Sequence, residues 1–321
     1  MSTFKFAIMG AAAIAEKFCD AVRRIDGAEV IAVAGKTEQR LKDFAEKQGI
    51  PRYYVGYEEL LKNEKPDCVY IAAVTSLHYE LTVTCLNYGV PVLCEKAMFT
   101  SVREAETAFN LAKEKGVFAM EAMWSRFLPA MQKAKQWVDE GRIGTVRYVD
   151  ARLGFTAWKD PKNRFYNPEL GGGAAYDLGV YAYELSTFML GEDVIDIKPE
   201  VIWSDTGVDI CEHVTLRFEN AIASLGASLS EMMEERLVIS GDKGLIIVPL
   251  IHYASEAYLY DSGRRVAEHF VDNITENGFV YEAMEAMRCV REGKLESDTV
   301  PHLTTLRCCR MFDEIYKTKK N

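Results

Sequence analysis

Cations are in the minority: 38 Lys and Arg stand against 48 Asp and Glu, a net charge of −10. A nucleic acid or an anionic membrane surface is therefore not an expected partner. No apolar run approaches the ~20 residues of a membrane span. No basic-apolar-small signal pattern opens the sequence, so a cytoplasmic location is expected. The eight cysteines form no CxxC pair and mostly sit in apolar runs, as reduced core residues do. The five histidines are scattered, so zinc-ligand spacing does not arise and no metal is expected. Long-period repeats and low-complexity segments are missing too. What is there is a chain of 321 residues, 49% apolar, long enough for about two domains whose cores need no staples.

The first part alternates short apolar runs with helical patterns. Phe4 to Met9 reads as a strand that turns through Gly10-Ala11-Ala12-Ala13-Ile14-Ala15 into a helix. Strand, tight turn and helix form the setting in which G-x-G-x-x-A cradles a dinucleotide pyrophosphate at a helix N-terminus. Gly10, Ala12, Ala13 and Ile14 are the candidates. Ala12 stands where a second glycine normally lets the backbone approach the pyrophosphate, so a plain strand-to-helix turn is the competing reading. The second strand, Val30 to Ala34, ends in Gly35-Lys36-Thr37-Glu38-Gln39-Arg40. An NAD site usually carries Asp or Glu here for the ribose hydroxyls. Lys36, Thr37 and Arg40 suit a 2′-phosphate instead, so NADP is expected, with NAD left possible by Glu38. The third strand, Cys68 to Ala73, leads to Thr75, Ser76 and His78. Thr75 and Ser76 suit an N-cap and hence an anion site. His78 either touches the cofactor or makes a local bond. Val90 to Cys94 and Val117 to Glu121 complete a pattern that means βαβ units, a parallel sheet and a Rossmann-type α/β domain.

The fourth strand delivers Glu95 and Lys96 at its C-terminal end, where ligands of open parallel sheets sit. A lysine there needs a partner or a task; an ordinary exposed lysine is the alternative. At Met123-Trp124-Ser125-Arg126-Phe127-Leu128-Pro129 the texture turns aromatic and marks a border. Residues 1–122 then form a nucleotide-binding domain, and residues 123–321 a substrate and dimerisation domain whose C-terminal helix can pack back on the first. The run Gly171-Gly172-Gly173-Ala174-Ala175-Tyr176-Asp177-Leu178-Gly179-Val180-Tyr181 opens a helix expected to reach Leu190. Leu178, Ala182, Leu185 and Met189 make its core stripe, and Asp177 and Tyr181 share a neighbouring face. The three glycines let another backbone or a ligand come close. A packing Tyr181 and a capping Asp177 are the competing reading. Short strands between residues 200 and 260, with turn signals at Glu219-Asn220 and Gly241-Asp242-Lys243-Gly244, predict an α+β domain with a large open, mostly antiparallel sheet. Its uncovered face needs a cover, and the same sheet of a second copy would make a homodimer.

The stretches AVAGKTEQRLKDFA, VLCEKAM, FAMEAMWSRFLPA, GGGAAYDLGVYA, SGDKGLI and YEAMEAMRCVREG run in this order through nearly the whole chain. Together they resemble the glucose–fructose oxidoreductase / inositol dehydrogenase (Gfo/Idh/MocA) family, on the side of its dimeric dihydrodiol dehydrogenases and NADP-dependent D-xylose dehydrogenases. The resemblance implies a Rossmann domain followed by a sheet domain that makes the dimer interface. It implies catalytic roles for the lysine of an EKP motif and the tyrosine of a D-x-G-x-[YH] motif, here Lys96 and Tyr181, with Asp177 beside them. Trp124 and Arg126 are expected at the cofactor with Glu95 and Lys96, and Trp124, Phe155 and Trp158 around the substrate with Asp177 and Tyr181. Ala97 replaces the EKP proline, so the Lys96–Ala97 bond is expected to be trans.

The chemistry implied is reversible hydride transfer, with the cofactor supplying the hydride chemistry and the protein the positioning. A phenol with its ordinary pKa near ~10 is too weakly ionised to be an efficient base, and a neighbouring lysine would favour the phenolate. Aldoses, cyclic trans-diols and reductive use on a carbonyl remain open as substrates. A non-catalytic redox-sensing regulator of the same fold is the alternative in another class; it would be expected to lack the lysine or the tyrosine.

Overall fold

The computed structural model describes residues 2–319. In chain order its first elements are β1 (Phe4–Met9), α1 (Ala13–Arg23), β2 (Ala28–Gly35), α2 (Glu38–Gln48), β3 (Tyr53–Val55), α3 (Tyr57–Asn63), β4 (Cys68–Ile71), α4 (His78–Asn87), β5 (Val92–Glu95), α5 (Val102–Lys115), β6 (Ala119–Ala122) and α6 (Pro129–Asp139). There follow β7 (Val146–Gly154), α7 (Val180–Leu190), β8 (Asp196–Trp203), β9 (Asp209–Arg217), β10 (Ile222–Ser228), β11 (Arg236–Gly241), β12 (Gly244–Pro249), β13 (Glu256–Asp261), β14 (Val266–Val271), α8 (Phe279–Arg291) and α9 (His302–Lys317). Two compact units result. One gathers the chain up to Phe99 with Arg103–Trp124 and Asn277–Thr305; the other gathers Thr100–Val102, Ser125–Glu276 and the chain from Leu306 onward.

The first unit is a Rossmann-type layer. Its six strands lie in the order β3-β2-β1-β4-β5-β6, all parallel. Every residue of β4 and β5 is buried, which explains why both read as apolar runs up to Glu95. Phe18 of α1 stacks on Tyr70 of β4 with ring centres 3.7 Å apart. Late in the chain, α8 returns to pack on α1, where Asn277 Nδ2 donates to Lys17 O and Asp20 Oδ2. Strand order reverses between β1 and β4, so the C-terminal ends of these strands border the switch point at which open α/β sheets bind ligands.

The second unit carries an eight-stranded sheet in the order β14-β13-β12-β11-β7-β10-β9-β8, antiparallel except for the β7–β10 pair. Alternate residues turn one face inward: Val149, Ala151 and Leu153 on β7, Ala223, Leu225 and Ala227 on β10, Leu237 and Ile239 on β11. Helices α6 and α7 pack on this face. Pro129 sits in the first turn of α6, where its missing N–H costs nothing. Strand β14 was not legible, because Val266-Ala267-Glu268-His269-Phe270-Val271 is an edge strand, exposed or half-exposed throughout.

The run into Leu190 departs from the expected single α-helix. Ala175–Gly179 form a π-helical turn, and α7 begins only at Val180. Residues Val180 to Thr187 are all buried, so the helix has no polar face and the expected stripe is part of a fully enclosed surface.

Candidate active site

The cofactor half can be built from the first unit alone. Gly10 has φ +109°, and a Cβ there would lie 2.6 Å from the Ala72 carbonyl oxygen, so only glycine fits where this turn meets the end of β4. Ala12 is extended and no side chain caps α1, which leaves the N–H groups of its first turn for an anion. Arg40 lies near the start of α2, and its Nε donates to Ala11 O at 2.8 Å, bringing a cation to the turn. Lys36, Thr37 and Glu38 are exposed just beyond the end of β2. Amide donors at a helix start, two cations and a hydroxyl fit a phosphate-bearing dinucleotide.

The β5 tip is organised differently from expectation. Glu95 turns inward: its carboxylate accepts from Tyr70 Oη and only 7% of it is exposed. Burial raises its pKa, against the opposing hydrogen bond from Tyr70 and the charge of Lys96. Glu282, on α8, is fully buried without a hydrogen-bond partner among the described residues, and burial together with the Glu95 charge pushes its pKa well above the carboxylate range. The expected contact of Glu95 with cofactor gives way to this core cluster beneath Lys96. Lys96 itself is half-buried.

The Lys96–Ala97 peptide is cis, not trans. The loop is tied on both sides: Ala97 O meets His78 Nδ1 at 2.8 Å, and Met98 N donates to Glu121 Oε1 at 2.8 Å. Glu121 Oε2 in turn accepts from Thr305 Oγ1. These bonds decide between the two readings of His78. Its Nε2 lies 3.1 Å from Ala73 O, so both ring nitrogens face backbone carbonyls and the side chain is a local tie, not a cofactor contact. Burial lowers its pKa and favours the neutral ring. Thr75 opens a short 3₁₀ turn with no side-chain cap, and α4 starts three residues later, so the expected Thr75/Ser76 N-cap does not form. Trp124 stacks on Phe279 with ring centres 4.8 Å apart.

The second unit holds Asp177 and Tyr181. The glycines before and inside the π turn make room for protein, not for ligand. A Cβ on Gly172 would strike the carbonyls of Arg164, Phe165 and Asn167; one on Gly173 would lie 2.3 Å from Asp209 Oδ1, and one on Gly179 2.2 Å from Glu212 Oε1. Asp209 Oδ2 accepts from Ala175 N at 2.6 Å, and Oδ1 accepts from Tyr316 Oη at 3.2 Å. Burial nevertheless pushes Asp209 up to about 6, and Glu212 well above the ordinary carboxylate range, where the Asp209 charge pushes the same way. A buried acidic pair thus underlies the turn that presents the two candidate residues. Asp177 is half-buried and meets Arg164 at 3.1 Å. Tyr181 is 6% exposed, with its ring 5.7 Å from that of His252. Phe155 packs edge-on against Phe165, whereas Trp158 is 77% exposed.

With that geometry in place, two family models match. Residues 4–123 fit the oxidoreductase family with an NAD-binding Rossmann fold, and residues 131–247 fit the C-terminal domain of the same Gfo/Idh/MocA group. The chain belongs to the Gfo/Idh/MocA oxidoreductase family. As a member of it the protein is an NAD(P)-dependent dehydrogenase. It is 32% identical to a trans-1,2-dihydrobenzene-1,2-diol dehydrogenase of Mus musculus, over 98% of this chain and 96% of that protein. A protein of the same name from Danio rerio is 30% identical over 97% and 95%. The crystal structure of an aldose-aldose oxidoreductase from Caulobacter crescentus matches with a TM-score of 0.89 at 25% identity, over 99% of this chain and 97% of that one. Among the described residues, no helix is long and apolar enough to cross a membrane and no three His, Cys, Asp or Glu residues are grouped to hold a metal.

Within this family fold, Arg126 corrects the expectation of a cofactor contact. It is 2% exposed; its guanidinium donates to Glu184 O and Thr187 Oγ1 and pairs with the Glu184 carboxylate at 3.1 Å. Removing one member of such a buried pair typically costs ~3–5 kcal/mol, so its role is to anchor α7. The Glu235–His252 pair and the Asp209–Glu212 pair were missed. Glu212 had a signal: it falls on the same alternation as the inward Val214 and Leu216. Glu235 and His252 flank the hairpin whose turn, Gly241 to Gly244, was recognised; counting outward from it brings Glu235 opposite Leu250, two residues short of His252.

Proposed function

We propose that the protein is an NADP-preferring dehydrogenase that moves a hydride between the nicotinamide and a carbinol or carbonyl carbon of a sugar or a cyclic trans-diol. What supports this reading is the joint presence of Lys96 at the end of β5, of Asp177 on the glycine-lined turn and of Tyr181 in the first turn of α7, in a chain 32% identical over 98% of its length to a diol dehydrogenase. When bound, the nicotinamide supplies the hydride acceptor or donor. Tyr181 exchanges the proton of the carbinol oxygen, Lys96 favours the phenolate form of that tyrosine, and Asp177 orients the substrate hydroxyl. The test is nicotinamide absorbance with a panel of aldoses, inositols and trans-cyclic diols, with Lys96→Ala alongside. Turnover that falls by about 10²-fold or more in Lys96→Ala, of the order of a lost acid–base contribution, is expected. Tight NADP binding without turnover in either direction would favour a redox-sensing regulator instead.

NADP preference rests on Lys36, Thr37 and Arg40. A charge-assisted bond is worth ~1.5–3 kcal/mol. The double variant Lys36→Ala/Arg40→Ala is therefore expected to raise the KM for NADP by at least ~10-fold while changing that for NAD little. Equal effects on both cofactors would remove the 2′-phosphate assignment.

The protein is further proposed to act in the cytoplasm, as a homodimer through the open sheet face. That face carries exposed Tyr148, Ile202 and Ile222 and half-buried Val238, Leu245, Ile247, Tyr258 and Tyr260. The partner is a second copy because a sheet with one apolar face uncovered is satisfied by its own symmetry mate. Sedimentation velocity is expected to give twice the chain mass, 36.2 kDa, and a Tyr258→Lys/Ile247→Lys variant to sediment as a monomer. A wild-type monomer at micromolar concentration contradicts the assignment.

A further inference from the structure

Beside Tyr181 lies a polar pair that the reaction proposed above does not use. His252 is the middle residue of a short turn after β12, and three bonds fix it. Its backbone N–H donates to Glu235 Oε1 at 3.0 Å, its Nδ1 meets the same oxygen at 2.5 Å, and its carbonyl accepts from Ser125 Oγ at 2.6 Å. Tyr253 packs edge-on against the ring with centres 4.2 Å apart. A carboxylate accepts only, so Nδ1 carries the proton and, in the neutral ring, Nε2 presents a lone pair. No hydrogen bond to Nε2 is present among the described residues, and 34% of the side chain is exposed. Glu235 is only 14% exposed, and a carboxylate held that close to an imidazole fixes ring orientation and tautomer together. The Tyr181 ring is 5.7 Å away and tilted by 50°.

We propose that His252, held by Glu235, accepts a hydrogen bond from the hydroxyl next to the reacting carbinol and so selects substrates with two neighbouring hydroxyls over simple alcohols. The proposal rests on the reading that Tyr181 handles the carbinol oxygen. It assigns the second oxygen of a vicinal pair to the acceptor beside it, and it gives a reason for a half-buried carboxylate whose two contacts both go to a single histidine. No bond is made or broken at His252; it is a specificity residue.

The test uses the full chain with NADP and two substrate pairs that differ only in the neighbouring hydroxyl: trans-cyclohexane-1,2-diol with cyclohexanol, and D-glucose with 2-deoxy-D-glucose. His252→Leu is expected to lower kcat/KM for the hydroxyl-bearing member by about tenfold, the scale of one lost hydrogen bond to a positioned acceptor, and to leave its partner within about twofold. His252→Gln, which keeps an acceptor oxygen, is expected to recover part of the loss. Glu235→Leu removes the acceptor of both bonds, leaves ring orientation and tautomer unfixed, and is expected to lose the same discrimination while the member without the neighbouring hydroxyl changes little. Equal losses on both members of a pair, or none on either, overturn the assignment while the dehydrogenase reading survives. A wild type that oxidises no member of either pair, in the presence of bound NADP, overturns this proposal, and the wider panel of aldoses, inositols and trans-cyclic diols then tests the hydride-transfer reading on its own.

Discussion

Tyr181→Phe is expected to reduce kcat by about 10²–10⁴-fold, the usual contribution of a positioned acid–base group, with NADP affinity unchanged. Phenylalanine keeps the shape of a ring that is 6% exposed in the second unit, so the variant should fold with the same thermal midpoint. The proposed cofactor-binding groups, Gly10 to Ile14, Lys36 and Arg40, lie in the first unit, and fluorescence titration with NADPH should therefore give wild-type affinity. Chemistry and binding are separated cleanly by this substitution. If affinity is lost along with turnover, Tyr181 is a structural residue of the turn and the proton-transfer role falls.

The second large effect is expected at Asp209. Its carboxylate accepts from Ala175 N and Tyr316 Oη, both inside the unit. Asp209→Ala leaves these donors without their acceptor, at ~1–3 kcal/mol each, and should loosen the turn that carries Asp177 and leads into Tyr181, lowering kcat as well as stability. The pH dependence has a definite sign. Burial raises the folded-state pKa from 3.8 to about 6. The protonated acid is thus the form the fold favours, and its contribution is fully present below the unfolded value and lost as pH rises through about 6. Because a tenfold change in proton affinity corresponds to ~1.4 kcal/mol, the stability lost over this window is about 3 kcal/mol. Urea denaturation at pH 4 and pH 7 should show this fall in the wild type and a correspondingly smaller one in Asp209→Asn, which keeps an acceptor for Ala175 N but no titrating group. Glu212 is pushed in the same direction by burial and by the Asp209 charge. An unchanged pH dependence in Asp209→Asn would show that the carboxyl is ionised in the fold at little cost.

How much of this was legible depends on whether the signal is local. Strand β5 was, because Val92, Leu93 and Cys94 are consecutive buried apolar residues and read as an unbroken apolar run. The βα turn at Gly10 was, because a glycine with φ +109° against a backbone carbonyl allows no substitute. The order of six motifs carried the family. Arg126 was misread because nothing in an aromatic-rich stretch reports a carboxylate 58 residues further on. The glycines around Asp177 were correctly read as marking a close approach, but what approaches is the protein's own backbone and a buried acidic pair on β9. The π turn and the cis Lys96–Ala97 bond were not legible, since no residue pattern in the sequence marks either. Glu95 illustrates the same limit: a charged residue at a ligand-binding strand end was taken to face the ligand, yet Tyr70 of the adjacent strand draws it into the core.

Direct hydride transfer is the central claim, and isotope tracing tests it most directly. The protein would be incubated with NADP and either an aldose deuterated at C1 or trans-cyclohexane-1,2-diol deuterated at its carbinol carbons, and the reduced cofactor examined by NMR. Deuterium at C4 of the nicotinamide, on one face only and absent with Tyr181→Phe, is the predicted result. Reduced cofactor that carries no deuterium, or tightly bound NADP that no substrate of the panel reduces, would contradict the account.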